Sequence, residues 1–259
     1  MKISTSGTAA CATGLKRSKK VQVGNIKMNP LDYLFPSRCI VCDEAADRPG
    51  AGVCDKCRNK MIYIREPYCL KCGKQLKKDE KEYCGDCERI RHVFDAGMSL
   101  YDYGSMADSV YRFKYAGRME YASFYGKDLY EKRGRWLGAL KPDALIPVPI
   151  HPSRMRSRGY NQAALIAREL SRHSGIPVRE NLIKRTLRTQ PLKDLSHGER
   201  QNNLKRAFKI CQNDVKLNTI VIIDDIYTTG STIDAMTRVL KDVGIRRVYF
   251  ITLTIGRGV

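Results

Sequence analysis

Long apolar runs are absent from this sequence, and acidic residues are scarce in it. Hydrophobic residues make up 42% of the 259 residues, but no run approaches the roughly 20 apolar residues of a membrane-spanning helix. We therefore expect no membrane insertion, and a core large enough for one medium domain and a small one. Aspartate and glutamate number 27 against 47 lysines and arginines, which gives a formal net charge of +20. Such a charge favours polyanionic partners, either phosphorylated metabolites or nucleic acid.

The amino terminus lacks the features of a secretory signal. Met1–Lys20 has no apolar core, and lysines stand where that core would be. Residues 1–28 contain six lysines and arginines and no acid, and we expect them to form a disordered basic extension. The expected compartment is the reducing cytoplasm, where paired cysteines serve as metal ligands.

The cysteines are arranged in a pattern typical of metal sites. Eight of the ten form four C-x-x-C pairs, and each pair begins 15 residues after the previous one. Two cysteines in a tight turn can hold one ion, and two such turns complete a tetrahedral four-thiolate site. We therefore predict two structural zinc ions in a double zinc ribbon over residues 29–92. The predicted ligands are Cys39, Cys42, Cys54, Cys57, Cys69, Cys72, Cys84 and Cys87.

The spacing leaves open which pairs share an ion. In a sequential arrangement, the first two pairs hold one ion and the last two hold the other. In a cross-braced arrangement, the first and third pairs share an ion. Iron–sulfur clusters and redox dithiols are the rival chemistry, but four regularly spaced pairs favour zinc. A four-thiolate site has no open coordination position, so its predicted role is structural.

The stretch Thr219–Thr232 has the pattern of a strand, a turn and a helix, and it reads T-I-V-I-I-D-D-I-Y-T-T-G-S-T. Ile220–Ile223 has the composition of a buried parallel strand. A turn between a strand and a helix aims backbone N–H groups and the positive end of the helix dipole at one point, which suits a phosphate. The candidate binding residues are Asp224, Asp225, Thr228, Thr229, Gly230, Ser231 and Thr232.

Two features of this stretch indicate that its ligand is a sugar phosphate. No lysine stands in Walker spacing, which excludes a nucleotide P-loop. The two adjacent carboxylates need hydroxyl donors or a metal, and a ribose beside its 5′-phosphate offers vicinal hydroxyls. The pattern therefore predicts a phosphorylated ribose at the carboxyl end of this strand.

A second strand, followed by a basic segment, points to the same chemistry. Asp143–Pro149 is predicted to be a short strand, and His151–Gln162 an extended loop with arginines at every second position. An extended backbone would place these arginines on one side, where their guanidinium forks suit a diphosphate. They are Arg154, Arg156 and Arg158. Lys114 is predicted at a loop mouth, where it either reaches a phosphate or is solvated.

Strands that alternate with helices predict an α/β fold for residues 93–259. The zinc ribbon would form a separate, smaller domain before it. Further predicted elements are the strands Ala96–Tyr103, Leu182–Arg185 and Arg247–Leu253, and the helices Ser105–Phe113 (with Ser105 as N-cap), Tyr121–Lys132, Asn161–His173 and Ser196–Leu204.

The two acids and the turn resemble the phosphoribosyl-pyrophosphate (PRPP) motif of type I phosphoribosyltransferases. The resemblance implies a parallel sheet flanked by helices, in which Asp224 and Asp225 bind the ribose 2′- and 3′-hydroxyls and the T-T-G-S-T turn holds the 5′-phosphate. From about Leu31 to Leu253 the chain is similar to the ComF (ComFC/GntX-like) family of competence-related proteins, in which a zinc ribbon precedes such a domain. The matching motifs are the C-x-x-C pairs, F-K-Y-A-G, P-V-P-I-H-P-S-R-M-R-S-R-G-Y-N-Q, R-T-x-x-T-Q, L-S-x-x-E-R-x-x-N-L and D-D-x-x-T-T-G-S-T.

The resemblance to the ComF family also implies roles for the basic residues. Lys114 and the segment Arg154–Gln162 would contact the pyrophosphate, and Mg²⁺ would accompany PRPP. Residues from Arg185 to Arg200 would form a mobile flap over the pyrophosphate, to which both of these arginines would contribute.

The resemblance to the ComF family and the net charge together imply two functions. The first is a PRPP-binding protein of DNA uptake and natural transformation, with single-stranded DNA and other competence proteins as partners. The second is an active phosphoribosyltransferase of nucleoside metabolism, acting on a nucleobase or a purine-pathway acceptor. No residue is identified as a base for an acceptor, so no catalytic residue is assigned and turnover stays open. A zinc-stabilised scaffold with a vestigial site is the third possibility.

Overall fold

Strands with buried residues on both faces form the centre of the protein. The computed structural model describes residues 37–46, 48, 50–77, 82–186, 207–211 and 216–256, all of which belong to one compact unit. The predicted extension over residues 1–28, the predicted helix Ser196–Leu204 and Arg200 lie outside the described residues. The predicted domain boundary after residue 92 stays a prediction.

The sheet is parallel throughout. The described strands are, in chain order, β1 (Gly97–Asp102), β2 (Ala144–Pro147), β3 (Ile183–Arg185), β4 (Phe208–Ile210), β5 (Thr219–Tyr227) and β6 (Arg247–Ile255). Four of them form one sheet in the order β1-β6-β5-β2, in which every neighbouring pair is parallel. The strands β3 and β4 form a separate antiparallel pair.

Helices flank this sheet, as predicted. The described α-helices are α1 (Gly85–Arg89), α2 (Tyr103–Tyr115), α3 (Tyr121–Ala139), α4 (Pro152–Arg158), α5 (Gln162–Ser174) and α6 (Ser231–Asp242), and Asp55–Lys60 is a 3₁₀ helix. None of the helices in the described ranges combines the length and the apolar composition that crossing a bilayer requires. A parallel sheet with flanking helices confirms the predicted fold class.

Alternate residues of β5 face two different apolar cores, because successive side chains of a strand point to opposite faces of the sheet. Ile220 and Ile222 belong to the core that contains α6, whereas Val221 and Ile223 belong to the core that contains α2, α3 and α5. All four are fully buried. This explains why the strand reads as an unbroken apolar run up to Asp224.

Two predicted helix boundaries need correction. Helix α2 begins two residues before Ser105, and its N-cap residue is Asp102. The Ser105 hydroxyl lies inside the first turn, where it donates to the Asp102 carbonyl over 2.9 Å. Helix α3 does not end near Lys132 but continues to Ala139, and its last turns bury Leu137 in the core.

The prediction of an extended loop over His151–Gln162 was wrong, because most of this segment is helix α4. Pro152 occupies its first turn, where a fixed φ and a missing N–H are compatible with a helix. The His151 ring accepts a hydrogen bond from the Ser153 N–H at 3.2 Å, which caps the amino end. Gly159, with a φ of 79°, ends the helix in the left-handed conformation. The alternating arginines led to the wrong prediction, although Pro152, His151 and Gly159 mark the two ends of a helix.

The close packing of α3 on α5 generates a testable prediction. A Cβ at Gly126 would lie 2.2 Å from Glu169 Cβ and 2.9 Å from its carbonyl carbon. We expect Gly126→Ala to lower the free energy of unfolding by about 1–3 kcal/mol, because backbone must move to admit the methyl group. Equilibrium urea unfolding in the presence of zinc measures this change.

Gly138, on the same helix, provides the matched control. A Cβ there meets no atom within 4 Å, so Gly138→Ala should be neutral or stabilise by about 0.5–1 kcal/mol through its higher helix propensity. Equal effects of the two substitutions would contradict the close approach of the helices.

Candidate functional site

The two acids lie at the carboxyl end of β5, inside the strand rather than after it. Strand β5 extends to Tyr227, so it includes Asp224 and Asp225. Asp225 is buried, with 8% of its surface exposed. Its carboxylate forms an ion pair with Lys114 at the end of α2, and 2.9 Å separates Nζ from Oδ1. Lys114 is therefore not a solvated surface lysine, because its charge neutralises a buried acid. It also lines the cleft, where it can contact a ligand.

Asp224 is an acid whose protonation is poised near neutral pH. Burial and the neighbouring charge of Asp225 raise the pKa of Asp224 to about 7, while Lys114, the Asp225 backbone N–H and Arg185 oppose that rise. The N–H of Asp225 donates to Asp224 Oδ1 over 2.9 Å. A carboxyl group held in this state is typical of functional sites, because burial and a neighbouring like charge are the means by which such sites shift a pKa.

These acids line a cleft that also collects cations from three other elements. The cleft has a volume of about 210 Å³. Besides both acids, its lining includes Thr232 and these four cations: Lys114 of α2, Arg154 and Arg158 of α4, and Arg185 of β3. Burial and the nearby charge of Arg154 lower the pKa of Arg185. Four cations against two acids leave a net positive charge for an anionic ligand.

The helical form of α4 separates its three arginines. Residues four apart lie on the same face of a helix, and residues two apart do not. Arg154 and Arg158 accordingly line the cleft, whereas Arg156 is exposed and does not line it. Arg158 is held in place by Gln162, whose Oε1 accepts a hydrogen bond from Arg158 Nη1 over 3.2 Å.

The turn after β5 places a helix amino terminus beside the acids. Gly230 is the N-cap of α6 and has a φ of 73°, a conformation that disfavours any residue with a side chain. Thr228 and Thr229 are exposed, the Thr229 and Ser231 hydroxyls are 2.8 Å apart, and Thr232 lines the cleft. The strand, the turn and the helix thus have the predicted order, and their geometry suits a phosphate.

His92 packs against this turn, and the sequence did not predict that contact. A Cβ on Gly230 would lie 2.9 Å from His92 Cε1 and 2.6 Å from the Tyr227 hydroxyl. The His92 ring is hydrogen-bonded through Nδ1 to Asp234, in the first turn of α6, over 2.8 Å. The other Asp234 oxygen accepts from the Val93 N–H, also over 2.8 Å. No local pattern could indicate a contact between residues 142 positions apart.

The eight predicted zinc ligands form two clusters, and the pairing is sequential. Within each cluster, the sulfur atoms all lie within 4.8 Å of one another. The clusters are Cys39, Cys42, Cys54 and Cys57, and Cys69, Cys72, Cys84 and Cys87. The Sγ–Sγ distances are 3.8 Å for Cys42–Cys54 and 3.7 Å for Cys72–Cys84. A tetrahedral zinc with bonds of about 2.3 Å separates its sulfurs by about 3.8 Å, so both clusters fit the ion.

Each zinc cluster packs against a different face of the sheet. The first cluster contributes Cys39, Cys54 and Cys57 to the core of α2 and α3, and the second contributes Cys69, Cys72 and Cys84 to the core of α6. The chain between the clusters joins the sheet itself, because Tyr63 forms an antiparallel bridge to Tyr101 of β1.

Polar contacts join the first cluster to the helices that lead to Lys114. Asp43 accepts from Arg118 and from the Tyr121 hydroxyl, each over 2.7 Å. Burial would raise the pKa of Asp43, but these partners outweigh it and lower the pKa. Arg112 of α2 donates to the Val41 carbonyl over 2.6 Å.

Two family models match separate stretches of the chain. A family model of the double zinc ribbon domain matches residues 30–88, and a family model of the phosphoribosyl transferase domain matches residues 156–257. Zinc as a structural ion in the ribbon is therefore supported by both the family match and the two thiolate clusters.

The chain is also similar to curated proteins over most of its length. It is 31% identical to Competence protein F of Haemophilus influenzae, covering 83% of this chain and 95% of the relative. It is 29% identical to Competence protein ComFC of Bacillus subtilis, covering 80% and 89%. It is 27% identical to DNA utilization protein YhgH of Escherichia coli K12, covering 82% and 94%.

The sequential pairing of the cysteines can be tested with two double variants. Cys39→Ser/Cys54→Ser removes two ligands from one cluster, so we expect the protein to retain one zinc ion per chain. Cys39→Ser/Cys69→Ser removes one ligand from each cluster, and we expect it to lose both ions or bind them far more weakly. Native mass spectrometry counts the ions. The opposite outcome, with the second variant keeping one ion and the first keeping none, would indicate cross-bracing.

Proposed function

Since the chain belongs to the ComF family, we propose that it binds PRPP and acts in DNA uptake, with single-stranded DNA as a partner. The observation that carries the PRPP proposal is the cleft itself. Two acids from β5 and four cations from α2, α4 and β3 line one space beside the amino terminus of α6. A ribose that carries one phosphate and a pyrophosphate needs hydrogen-bond acceptors for its hydroxyls and cations for its phosphates, and this cleft offers both.

The proposed placement follows from the chemistry of each group. The carboxylates of Asp224 and Asp225 accept hydrogen bonds from the ribose 2′- and 3′-hydroxyls. The backbone N–H groups of the turn, together with the hydroxyls of Thr228, Thr229, Ser231 and Thr232, donate to the 5′-phosphate.

The pyrophosphate would lie against the four cations of the cleft. Arg154, Arg158 and Arg185 can bind its oxygens with two parallel hydrogen bonds, whereas Lys114 acts as a point charge. Magnesium bound with PRPP would neutralise further pyrophosphate charge, and the Asp224 and Asp225 oxygens are the kind of ligand that it prefers. If transfer occurs, a nucleophilic acceptor forms a bond to the ribose C1 on one face while the bond from C1 to the pyrophosphate oxygen breaks on the other. Pyrophosphate leaves with the electron pair of that bond, and these cations stabilise its charge.

The role in DNA uptake is supported by the relatives and by the charge. Two of the similar proteins are named competence proteins and a third a DNA utilization protein, which favours DNA handling over nucleobase salvage. The net charge of +20 adds a general attraction to a polyanion.

Calorimetry with PRPP and Mg²⁺ tests the role of the acid pair. We expect Asp224→Asn/Asp225→Asn to weaken PRPP binding by at least about 100-fold, because each lost carboxylate removes a charge-assisted hydrogen bond. The removal of two negative charges would by itself strengthen binding of a polyanion, so weaker binding reflects lost contacts to PRPP, a lost metal ligand or the loss of the Asp225–Lys114 ion pair. The single variant Asp224→Asn leaves that pair intact and separates the last cause from the other two. The variant Asp108→Asn/Asp242→Asn makes the same charge change at two exposed positions and serves as the control. Unchanged affinity in the cleft variant would refute the placement.

The pKa of Asp224 predicts a pH dependence for PRPP binding. With a pKa of about 7 in the free protein, Asp224 must lose a proton below neutral pH before it can act as a carboxylate. The affinity for PRPP should therefore rise with pH, by about 10-fold between pH 6 and pH 8. Asp224→Asn is the reference, because it retains the ionisation of PRPP itself and loses that of Asp224. Parallel pH profiles for the wild type and the variant would contradict this role.

A further inference from the structure

Two exposed tyrosines of α2 form a pair that the packing of the protein does not require. Tyr111 and Tyr115 are 63% and 60% exposed. Their ring centroids are 5.0 Å apart, with an angle of 46° between the planes. Within the described residues, neither hydroxyl makes a hydrogen bond. Single exposed aromatic residues are common on protein surfaces, but an adjacent pair leaves a continuous aromatic area in contact with water.

The pair extends the lining of the cleft outward. Tyr115 follows Lys114 in the chain and lines the cleft beside it. The guanidinium carbon of Arg158, which also lines the cleft, lies 4.6 Å from the centroid of the Tyr115 ring. Arg158, Tyr115 and Tyr111 thus form a row from the cleft to the outer surface of α2, which we call the tyrosine row.

Cations predominate around the tyrosine row. Besides Lys114 and Arg158, Arg154 lines the same cleft and adds positive charge. The opposing acids are the exposed Asp108, one turn before Tyr111, and Glu120, whose carboxylate lies 4.0 Å from Arg118. Exposed aromatic rings beside several cations are typical of sites that bind single-stranded nucleic acids. Unpaired bases stack on the rings, and phosphates contact the cations.

We propose that the tyrosine row binds unpaired bases of single-stranded DNA, with the adjacent phosphates on the cations at the mouth of the cleft. The proposal rests on the proposed DNA partner and adds where and how that partner is held. A duplex cannot use this site in the same way, since its bases stack on one another. The strand would pass directly over the mouth of the proposed PRPP cleft, so that one face of the protein serves both ligands.

The test compares an oligodeoxythymidine with an abasic oligonucleotide of equal length, by fluorescence anisotropy. Stacking contributes only to the first, whereas phosphate contacts contribute to both. We expect Tyr111→Ala to weaken binding of the oligodeoxythymidine by roughly 5- to 100-fold and to leave the abasic strand unaffected. Tyr111→Phe keeps the ring and should retain wild-type affinity. Tyr130→Ala, which removes a 41% exposed tyrosine from α3, is the matched control and should have no effect.

Each other outcome overturns the proposal in a distinguishable way. If Tyr111→Ala binds both strands as the wild type does, the tyrosine row is not the site, although a DNA partner stands. If it weakens both strands equally, Tyr111 acts through the backbone contacts rather than by stacking. If duplex DNA binds with the same dependence on Tyr111, unpaired bases are not what the row recognises. If the wild type binds PRPP but no oligonucleotide, the DNA partner fails while the PRPP site stands.

Discussion

The geometry of the cleft depends on a buried ion pair at the carboxyl end of β5. Asp225 is nearly inaccessible to water, and Lys114 lies 2.9 Å from it. A buried carboxylate is unfavourable unless it is paired, so this contact holds the end of α2 against the end of β5. Asp224 precedes Asp225 in the strand and forms no ion pair within the described residues. The pKa of Asp224 rises to about 7. The ion pair thus helps to fix the geometry of the cleft, and both carboxylates remain at the end of β5 where a ligand would contact them.

The zinc ribbons are part of the structure that supports this cleft. The first cluster packs against α2 and α3, where Asp43 joins Arg118 and Tyr121, close in the chain to Lys114. The second cluster packs in the core of α6. Five residues after its last ligand, His92 contacts Gly230 and Asp234 beneath the turn. The two clusters therefore pack into the two cores whose helices, α2 and α6, carry residues of the cleft.

The local patterns in the sequence were sufficient to predict the strand β5, the acids, the turn and the zinc ligands. Each of these depends on neighbours within about ten positions, such as an apolar run followed by Asp224 and Asp225. The uniform spacing of the cysteine pairs could not decide how they share ions, because both arrangements use the same spacing. The sequential pairing became visible only in three dimensions.

Other features could not be predicted because a local signal was misleading or absent. Alternating arginines suggested an extended loop, yet Pro152 and Gly159 define the helix α4, and this places Arg156 away from Arg154 and Arg158. The contact between His92 and Asp234 joins the region after the ribbon to α6 and leaves no periodic pattern. A role for Tyr115 was not predicted, because only Lys114 of the F-K-Y-A-G motif was considered as a ligand-binding residue.

A crystal structure of the protein with PRPP and Mg²⁺ is the most direct test of the central claim. We expect electron density for the 5′-phosphate within hydrogen-bond distance of the backbone N–H groups of the turn at Gly230. We also expect the ribose hydroxyls to contact Asp224 and Asp225, and the pyrophosphate to lie between Lys114 and Arg158. Density for PRPP at another place, with this cleft empty, would contradict it.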